Sequence, residues 1–361
     1  MKIYFDNAAT TPPLHGLINH DVFFGNASSA HGFGRSAERE LMGARHFFAQ
    51  ELSCREADVY FTSGGTESNN IALIGYALAQ RNKGLIMMAQ PWEHPSIIEP
   101  LKFIRDNKLA DVLIAPTQRW NYSPDRNRLA IFSQVNHETG DMVDLHDISQ
   151  TYFGAKIMID GVQGFGKEHA NLSQVDIYTF SAHKCHGPVG VGGLSSKVRL
   201  VPLFYGGSQE GKLRPGTENV HGILAMAAAA QYACKHRGAH LAHVSAIKAK
   251  MAELAKELEG VTINAISNSV SPYILNMSFE GTRGEILVHQ FSERGLFASM
   301  GAACSRSSKI TPLLETMGKP KDIAASAIRF SFSHQNTMEE AEAAKIIVTE
   351  CVTSLRRMFA R

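Results

Sequence analysis

Cysteine is scarce in this sequence and poorly arranged for cross-linking. The five cysteines, Cys54, Cys185, Cys234, Cys304 and Cys351, are scattered over 361 residues, odd in number and never spaced as Cys-x-x-Cys. That pattern excludes a disulfide framework and a cysteine zinc site. Long apolar runs are also missing: nowhere do about 18 apolar residues follow one another, so no transmembrane helix is expected. The opening Met1-Lys2-Ile3-Tyr4-Phe5-Asp6 lacks the apolar core and cleavage site of a signal peptide. The expected setting is the cytoplasm, with reduced thiols. An excess of one charge is absent too. Thirty-six basic residues against 34 acidic ones leave +2, which gives no basic footprint for direct nucleic-acid binding. Charged residues make up 19%, below the roughly 25% of an average globular chain, as expected where an oligomer hides surface.

What is present is a chain that is 44% hydrophobic and long enough for about two domains. From Asp58 to about Leu194 short apolar runs alternate with helical patterns. Val59-Tyr60-Phe61, Leu85 to Ala89, Leu129 to Val135, Lys156 to Ile159 and Val175 to Phe180 read as strands, with helices over Glu67 to Leu78 and near Ser96 to Ile104. Continuous apolar strands separated by helices predict a parallel sheet buried on both faces. Glu218 to about Glu259 reads as mostly helical, with Gly238 as a break and Gly260 as a stop. A second unit follows, with strands near Ser271 to Ser278 and Ile328 to Ser333 and helices near Glu285 to Arg294 and Met338 to Phe359. The extended Met1 to Pro13 is assigned to it. The expected division is 14–245 for the large domain, and 1–13 with 246–361 for the small one.

Several local patterns could carry chemistry. Ser181-Ala182-His183-Lys184 closes an apolar strand, and lysine is almost never buried unpaired; a covalent imine with an aldehyde cofactor is one way to keep it there. Asp160 closes another strand, at the edge where open α/β sheets bind ligands. A carboxylate there would keep a pyridine nitrogen protonated. Ser63-Gly64-Gly65-Thr66 lies between a strand and a helix, where backbone N–H groups and the helix dipole favour an anion. Two other patterns carry less. Gly32-Phe33-Gly34-Arg35-Ser36-Ala37 fits GxGxxA without a preceding strand. His236, His240 and His243 recur at helical spacing without an acidic base between them, which reads as a solvated polar face, so no metal site is expected. Cys304 lies among small and hydroxyl residues, Ala298 to Lys309, which predict a mobile loop; Arg306 and Lys309 nearby would favour its thiolate.

Taken together, these segments resemble the cysteine desulfurases of the NifS/IscS type, in the class V branch of fold-type I pyridoxal-phosphate enzymes. Tyr4-Phe5-Asp6-Asn7-Ala8-Ala9-Thr10-Thr11, Gly25-Asn26-Ala27-Ser28-Ser29, Thr62-Ser63-Gly64-Gly65-Thr66-Glu67-Ser68-Asn69-Asn70, Glu93-His94, Asp160-Gly161-Val162-Gln163, Arg214-Pro215-Gly216-Thr217-Glu218-Asn219 and Ile328-Arg329-Phe330-Ser331 occur in family order over nearly the whole chain. The resemblance implies an α/β fold with a large, mostly parallel sheet domain and a smaller α+β C-terminal domain presenting the cysteine loop. It implies pyridoxal 5'-phosphate as cofactor, L-cysteine as substrate, a homodimer, and a sulfur-acceptor protein such as an iron–sulfur scaffold.

Residue by residue, the resemblance makes Lys184 the lysine that holds the cofactor and shuttles protons. His94 would stack on its ring and act as acid or base. Asp160 would pair with the pyridine nitrogen, and Gln163 would bond the phenolic oxygen. Gly65, Thr66, Ser181 and His183 would hold the phosphate, with Thr217 from a neighbouring subunit. Arg329 would grip the substrate carboxylate, with Asn26 as a second contact, and Cys304 would take the sulfur as a persulfide. Two departures stand out. His137 occupies a cofactor-contacting asparagine position, and Gly211-Lys212 replaces an arginine-glycine pair. Segments between Pro13 and Gly25 and between Ala115 and Leu129 look shorter than usual. The open alternatives are another class V enzyme, such as a selenocysteine lyase or an aminotransferase, and a degenerate scaffold subunit.

Overall fold

The computed structural model describes residues 1–14, 16, 25–117, 120, 127–300 and 312–359. Cys304 and its neighbours 301–311 lie outside the described residues, as does most of both shortened segments. In chain order the strands are β1 (Ile3–Tyr4), β2 (Val59–Thr62), β3 (Ile86–Ala89), β4 (Asp111–Ile114), β5 (Arg128–Ser133), β6 (Lys156–Asp160), β7 (Ile177–Ser181), β8 (Gly192–Ser196), β9 (Val261–Ile263), β10 (Ile274–Phe279), β11 (Leu296–Phe297) and β12 (Ala327–Ser331). The helices are α1 (Gly32–Glu51), α2 (Gly65–Ala79), α3 (Pro95–Asp106), α4 (Leu145–Thr151), α5 (Val220–Ala252), α6 (Leu254–Glu257), α7 (Gly284–Glu293), α8 (Pro312–Thr316), α9 (Lys321–Ala325) and α10 (Met338–Phe359).

The chain divides into two units. The larger comprises Pro12–Gln134 and Val143–Lys235. Its sheet runs β2-β8-β7-β6-β5-β3-β4. Side-chain alternation splits each central strand between two cores. Leu129, Ile131, Met158 and Ile177 join one cluster with α2 and α3 residues such as Leu73 and Ile97. Ala130, Phe132, Ile157, Ile159, Tyr178 and Phe180 join the other with Phe48 of α1 and Met226 of α5. Both faces are thereby buried, which is why these strands read as unbroken apolar runs. The sheet is mostly parallel, as expected, with one exception. β8 is antiparallel to both β7 and β2, because only a short connection separates it from β7 and no crossover helix intervenes.

The smaller unit comprises Met1–Thr11, Val135–Met142 and His236–Arg361. β10 pairs antiparallel with β9 and β12, and β1 lies parallel to β11. Ile3, Phe5, Leu275, Met277, Phe330 and Val348 are among its buried core residues. The insertion of Val135–Met142 was not expected from sequence. Its backbone is tied to this unit: Met142 N–H donates to Ser269 C=O at 2.9 Å and Ser271 N–H to Gly140 C=O at 2.9 Å. The expected break at Gly238 does not occur either, since α5 is continuous from Val220 to Ala252. A helical glycine costs only about 1 kcal/mol relative to alanine, and burial of Ala230 and Val244 on either side anchors the helix.

Among the described residues no helix is long and apolar enough to cross a membrane. Among the described residues Cys54, Cys185 and Cys351 are in no disulfide.

Candidate active site

The parallel strands of the large unit all deliver their carboxyl ends to one edge, where Asp160, Ser181, His183 and Lys184 lie. β2 ends at Thr62 and passes through Ser63 and Gly64 into α2. Gly64 has φ +152°, a conformation that favours glycine, and a Cβ built on it would have Ser181 Oγ, 3.7 Å away, as its nearest neighbour. Open space therefore lies in front of this backbone. Gly65 starts α2, where a Cβ would strike Val162 Cγ2 at 2.6 Å. Gly192 of β8 packs so closely that a Cβ would lie 2.7 Å from Gly64 Cα. Bare backbone is required at all three positions. The result is a hollow lined by amides, the first turn of a helix and the Ser181 side chain, which suits an anion.

Ser181 ends β7 and the chain turns through Ala182–Lys184 in a short 3-10 helix. His183 and Lys184 are both half-buried there. Burial is the main reason the His183 imidazole is pushed down to about 4, and the nearby charges of Lys184 and Lys167 add to the effect. His183 is thus a neutral donor at physiological pH. Cys185, the rival thiol, is fully enclosed. Burial pushes it up to about 11, so it is a poor nucleophile.

Asp160, the last residue of β6, is only 5% exposed. Its Oδ1 accepts from Val162 N–H at 2.9 Å and its Oδ2 from Asn69 Nδ2 at 2.9 Å. Asn69 sits on the buried side of α2 and makes two more bonds: its Nδ2 donates to Ser96 Oγ at 2.9 Å and its Oδ1 accepts from Thr179 Oγ1 at 2.7 Å. Ser96 in turn lies 2.8 Å from His94 Nδ1, and its N–H donates to the same nitrogen at 3.1 Å. His94 is the N-cap residue of α3 and shares a surface hollow of about 490 Å³ with Thr66 and Asn70. Gln163 is buried and accepts from Lys167 Nζ at 3.3 Å. Glu93 is enclosed beside this group; Ser133 Oγ donates to it. Burial, aided by the charge of Asp160, pushes the Glu93 carboxyl up to about 8 against the opposing effect of Ser133.

Thr66 and Thr217 are exposed, the latter in the loop leading to α5. Asn26 is exposed as well and uses its Oδ1 to accept Ser28 N–H at 2.9 Å.

The smaller unit holds the remaining candidates. Arg329, on β12, is 4% exposed. Its Nη1 donates to the His137 carbonyl at 2.7 Å, and its Nη2 pairs with Asp6 Oδ1 at 2.9 Å. Among the described residues its buried Nε has no hydrogen-bond partner. The His137 side chain is buried. Sequence reading gave no role to Asn69, Ser96, Thr179, Glu93 or Asp6. The available signal was a buried-type polar residue, Asn69, on a helix face otherwise occupied by Ser68, Ala72 and Leu73. The histidines of α5 also differ from a solvated face. His240 stacks on His334 with ring centroids 4.0 Å apart, and His243 Nε2 bonds the Asn336 carbonyl at 2.8 Å. Among the described residues no group of three or more His, Cys, Asp or Glu could hold a metal.

Comparison with known proteins adds an independent line. The aminotransferase class-V family matches residues 3–344. A NifS/IcsS protein homolog of Lactobacillus delbrueckii subsp. bulgaricus is 34% identical, over 94% of this chain and 94% of its own. A cysteine desulfurase IscS of Buchnera aphidicola subsp. Baizongia pistaciae is 30% identical, over 99% and 94% respectively. The solved structure of a NifS-like protein superposes with a TM-score of 0.89 at 29% identity, covering 98% of this chain and 100% of its own.

Proposed function

The chain belongs to the aminotransferase class-V family and is a cysteine desulfurase, and we propose that it converts L-cysteine to L-alanine by taking the sulfur onto Cys304. The observation that carries this reading is the carboxyl edge of the large sheet. There one unit brings together the Gly64-Gly65 hollow, Ser181, Lys184, Asp160 and the His94 ring.

These residues fit pyridoxal 5'-phosphate, the cofactor of the family. The hollow in front of Gly64 has the bare backbone and hydroxyl neighbour that a phosphate requires. The donor set supplies one amine, one buried carboxylate and one neutral imidazole, as the rest of that molecule demands. Gly65, Thr66, Ser181 and the neutral His183 would hold the phosphate, Asp160 and Gln163 the ring, and Lys184 the aldehyde carbon. His137 would replace the usual asparagine as a ring contact. When bound, this cofactor supplies a protonated pyridine ring that draws an electron pair away from the substrate α-carbon.

The chain's own groups do the rest. Arg329 binds the substrate carboxylate, and its uncommitted Nε is one of the two donors needed for a bidentate grip. Asn26 is a second contact for the carboxylate. Asp160 keeps a proton on the pyridine nitrogen. Lys184 Nζ takes the proton from the substrate α-carbon and returns it elsewhere. The Cys304 thiolate then attacks the substrate sulfur: the new S–S bond forms as the carbon–sulfur bond breaks. That electron pair returns to carbon, which takes up a proton and departs as alanine. The persulfide on Cys304 passes to an acceptor protein, of which an iron–sulfur scaffold is one kind. The working form is a cytoplasmic homodimer in which Thr217 reaches the phosphate of the second copy; its exposure supports that assignment.

The test is incubation of the purified enzyme with L-cysteine, scoring alanine and mapping the persulfide by mass. Cys304→Ala is expected to abolish sulfur transfer and leave cofactor absorbance intact. Desulfuration that survives the substitution would overturn the role of Cys304. Keto-acid formation in place of alanine would instead indicate a transaminase.

A further inference from the structure

The hydrogen bonds between Asp160 and His94 have only one consistent direction. An ionised carboxylate accepts and cannot donate, so Asn69 must turn Nδ2 toward Asp160 Oδ2, 2.9 Å away. The same nitrogen has a second hydrogen, and it meets Ser96 Oγ at 2.9 Å. Asn69 Oδ1 is left to accept from Thr179 Oγ1 at 2.7 Å. The amide orientation is thereby set at the carboxylate end, and the Thr179 hydroxyl, which can donate or accept, agrees with it. Ser96 Oγ has received one hydrogen and has its own to give. His94 Nδ1 lies 2.8 Å from it. The Ser96 backbone N–H, which can only donate, aims at the same nitrogen from 3.1 Å. The backbone N–H makes His94 Nδ1 an acceptor and the Ser96 hydroxyl can share that nitrogen's lone pair, so in the neutral imidazole the ring proton sits on Nε2.

We propose that Asn69 and Ser96 are positioning residues which, working from the Asp160 carboxylate, lock His94 into the Nε2–H tautomer, so that His94 meets the reacting atoms as a hydrogen-bond donor and not as a base through Nδ1. All five residues stand on elements of the large unit: α2, the start of α3, the end of β6 and the middle of β7. Asn69 is fully buried and Ser96 nearly so, which shields the chain of bonds from water and strengthens each link. A histidine whose tautomer is set by its second nitrogen's partner is a recognised way to assign acid and base roles. The proposal deepens the reading of His94 as part of the active site and rests on it.

The test has one arm that needs no turnover. Protein carrying 15N-histidine is examined by long-range proton–nitrogen correlation, with and without cofactor, and the His94 signal is identified by its loss in His94→Gln. The expected pattern is a protonated Nε2 and a bare Nδ1 in the neutral ring. A proton on Nδ1 overturns the proposal, whatever the enzyme's activity. In the second arm Ser96→Ala is expected to lower kcat by roughly tenfold, as for one lost hydrogen bond to a reacting group, with KM for L-cysteine within about twofold. Ser96→Thr, which keeps the hydroxyl, is expected to restore most of the loss. If Ser96→Ala retains both full kcat and the wild-type His94 spectrum, Ser96 positions nothing. Failure of the wild-type enzyme to release alanine would instead break the underlying reading and leave the tautomer result standing.

Discussion

The carboxyl edge of the large sheet and the Arg329 corner of the small unit handle buried polar groups in opposite ways. At the sheet edge Asp160, Asn69, Thr179, Ser96 and His94 form one connected network in which each Asn69 side-chain atom has a partner. At Arg329 two nitrogens are engaged, by Asp6 and by the His137 carbonyl, while the buried Nε has no hydrogen-bond partner among the described residues. A buried donor left unsatisfied costs about 1–3 kcal/mol. The fully bonded network is rigid before any ligand arrives, as suits a group that stays bound. The unsatisfied guanidinium nitrogen is a cost that a passing carboxylate would relieve, as suits a substrate that comes and goes.

This contrast can be broken most decisively at Arg329. Arg329→Lys removes the planar fork and is expected to raise KM for L-cysteine by roughly 100-fold with little change in kcat, as for loss of a bidentate charged pair. A fall in kcat at unchanged KM would remove Arg329 from substrate binding. A second prediction concerns Glu93, whose carboxyl is held at about 8 against an ordinary value of 4.5. The folded state binds the extra proton between those values, so this group's stabilisation is complete below 4.5, declines as pH rises and is lost through pH 8. Glu93→Gln is expected to flatten that slope and to raise stability near pH 8 by on the order of 2 kcal/mol. Denaturant midpoints between pH 6.5 and 8.5 would show it, a window in which His183 stays neutral. Parallel pH slopes in both proteins would place the charge elsewhere. The smallest effect is expected at Asp6. If its carboxylate competes with the substrate for Nη2, Asp6→Asn should lower KM about threefold, within the range of a partly exposed ion pair. A rise in KM would make Asp6 an orienting partner of the guanidinium.

Much of the frame was legible along the chain. Strand-like apolar runs ending in Asp160 and in Ser181 to Lys184 marked the sheet edge, because strands buried on both faces have few polar residues until they emerge. The helix Met338–Phe359 was read at its observed bounds, its apolar stripe being clear. The direction of β8 was less legible, since its glycines and serines suit either orientation and only pairing with β2 and β7 decides. Gly238 misled because a helix this long tolerates one glycine. The hub role of Asn69 was invisible, because its partners Ser96, Thr179 and Asp160 are remote in sequence and meet only when α2 packs on the sheet.

The sequence by itself determined which residue types were available for chemistry: a lysine and an aspartate at strand ends, a glycine pair before a helix, an arginine in a late strand and a thiol at Cys304. It could do so because local patterning places such residues at element ends. Tertiary structure alone decided what each can do. It made Cys185 inert by enclosing it, kept His183 neutral by burial beside two lysines, assigned Val135–Met142 to the small unit and gave the His94 ring a single direction. Those outcomes depend on desolvation and on hydrogen bonds between segments far apart in the chain, and neither exists until the segments are packed together.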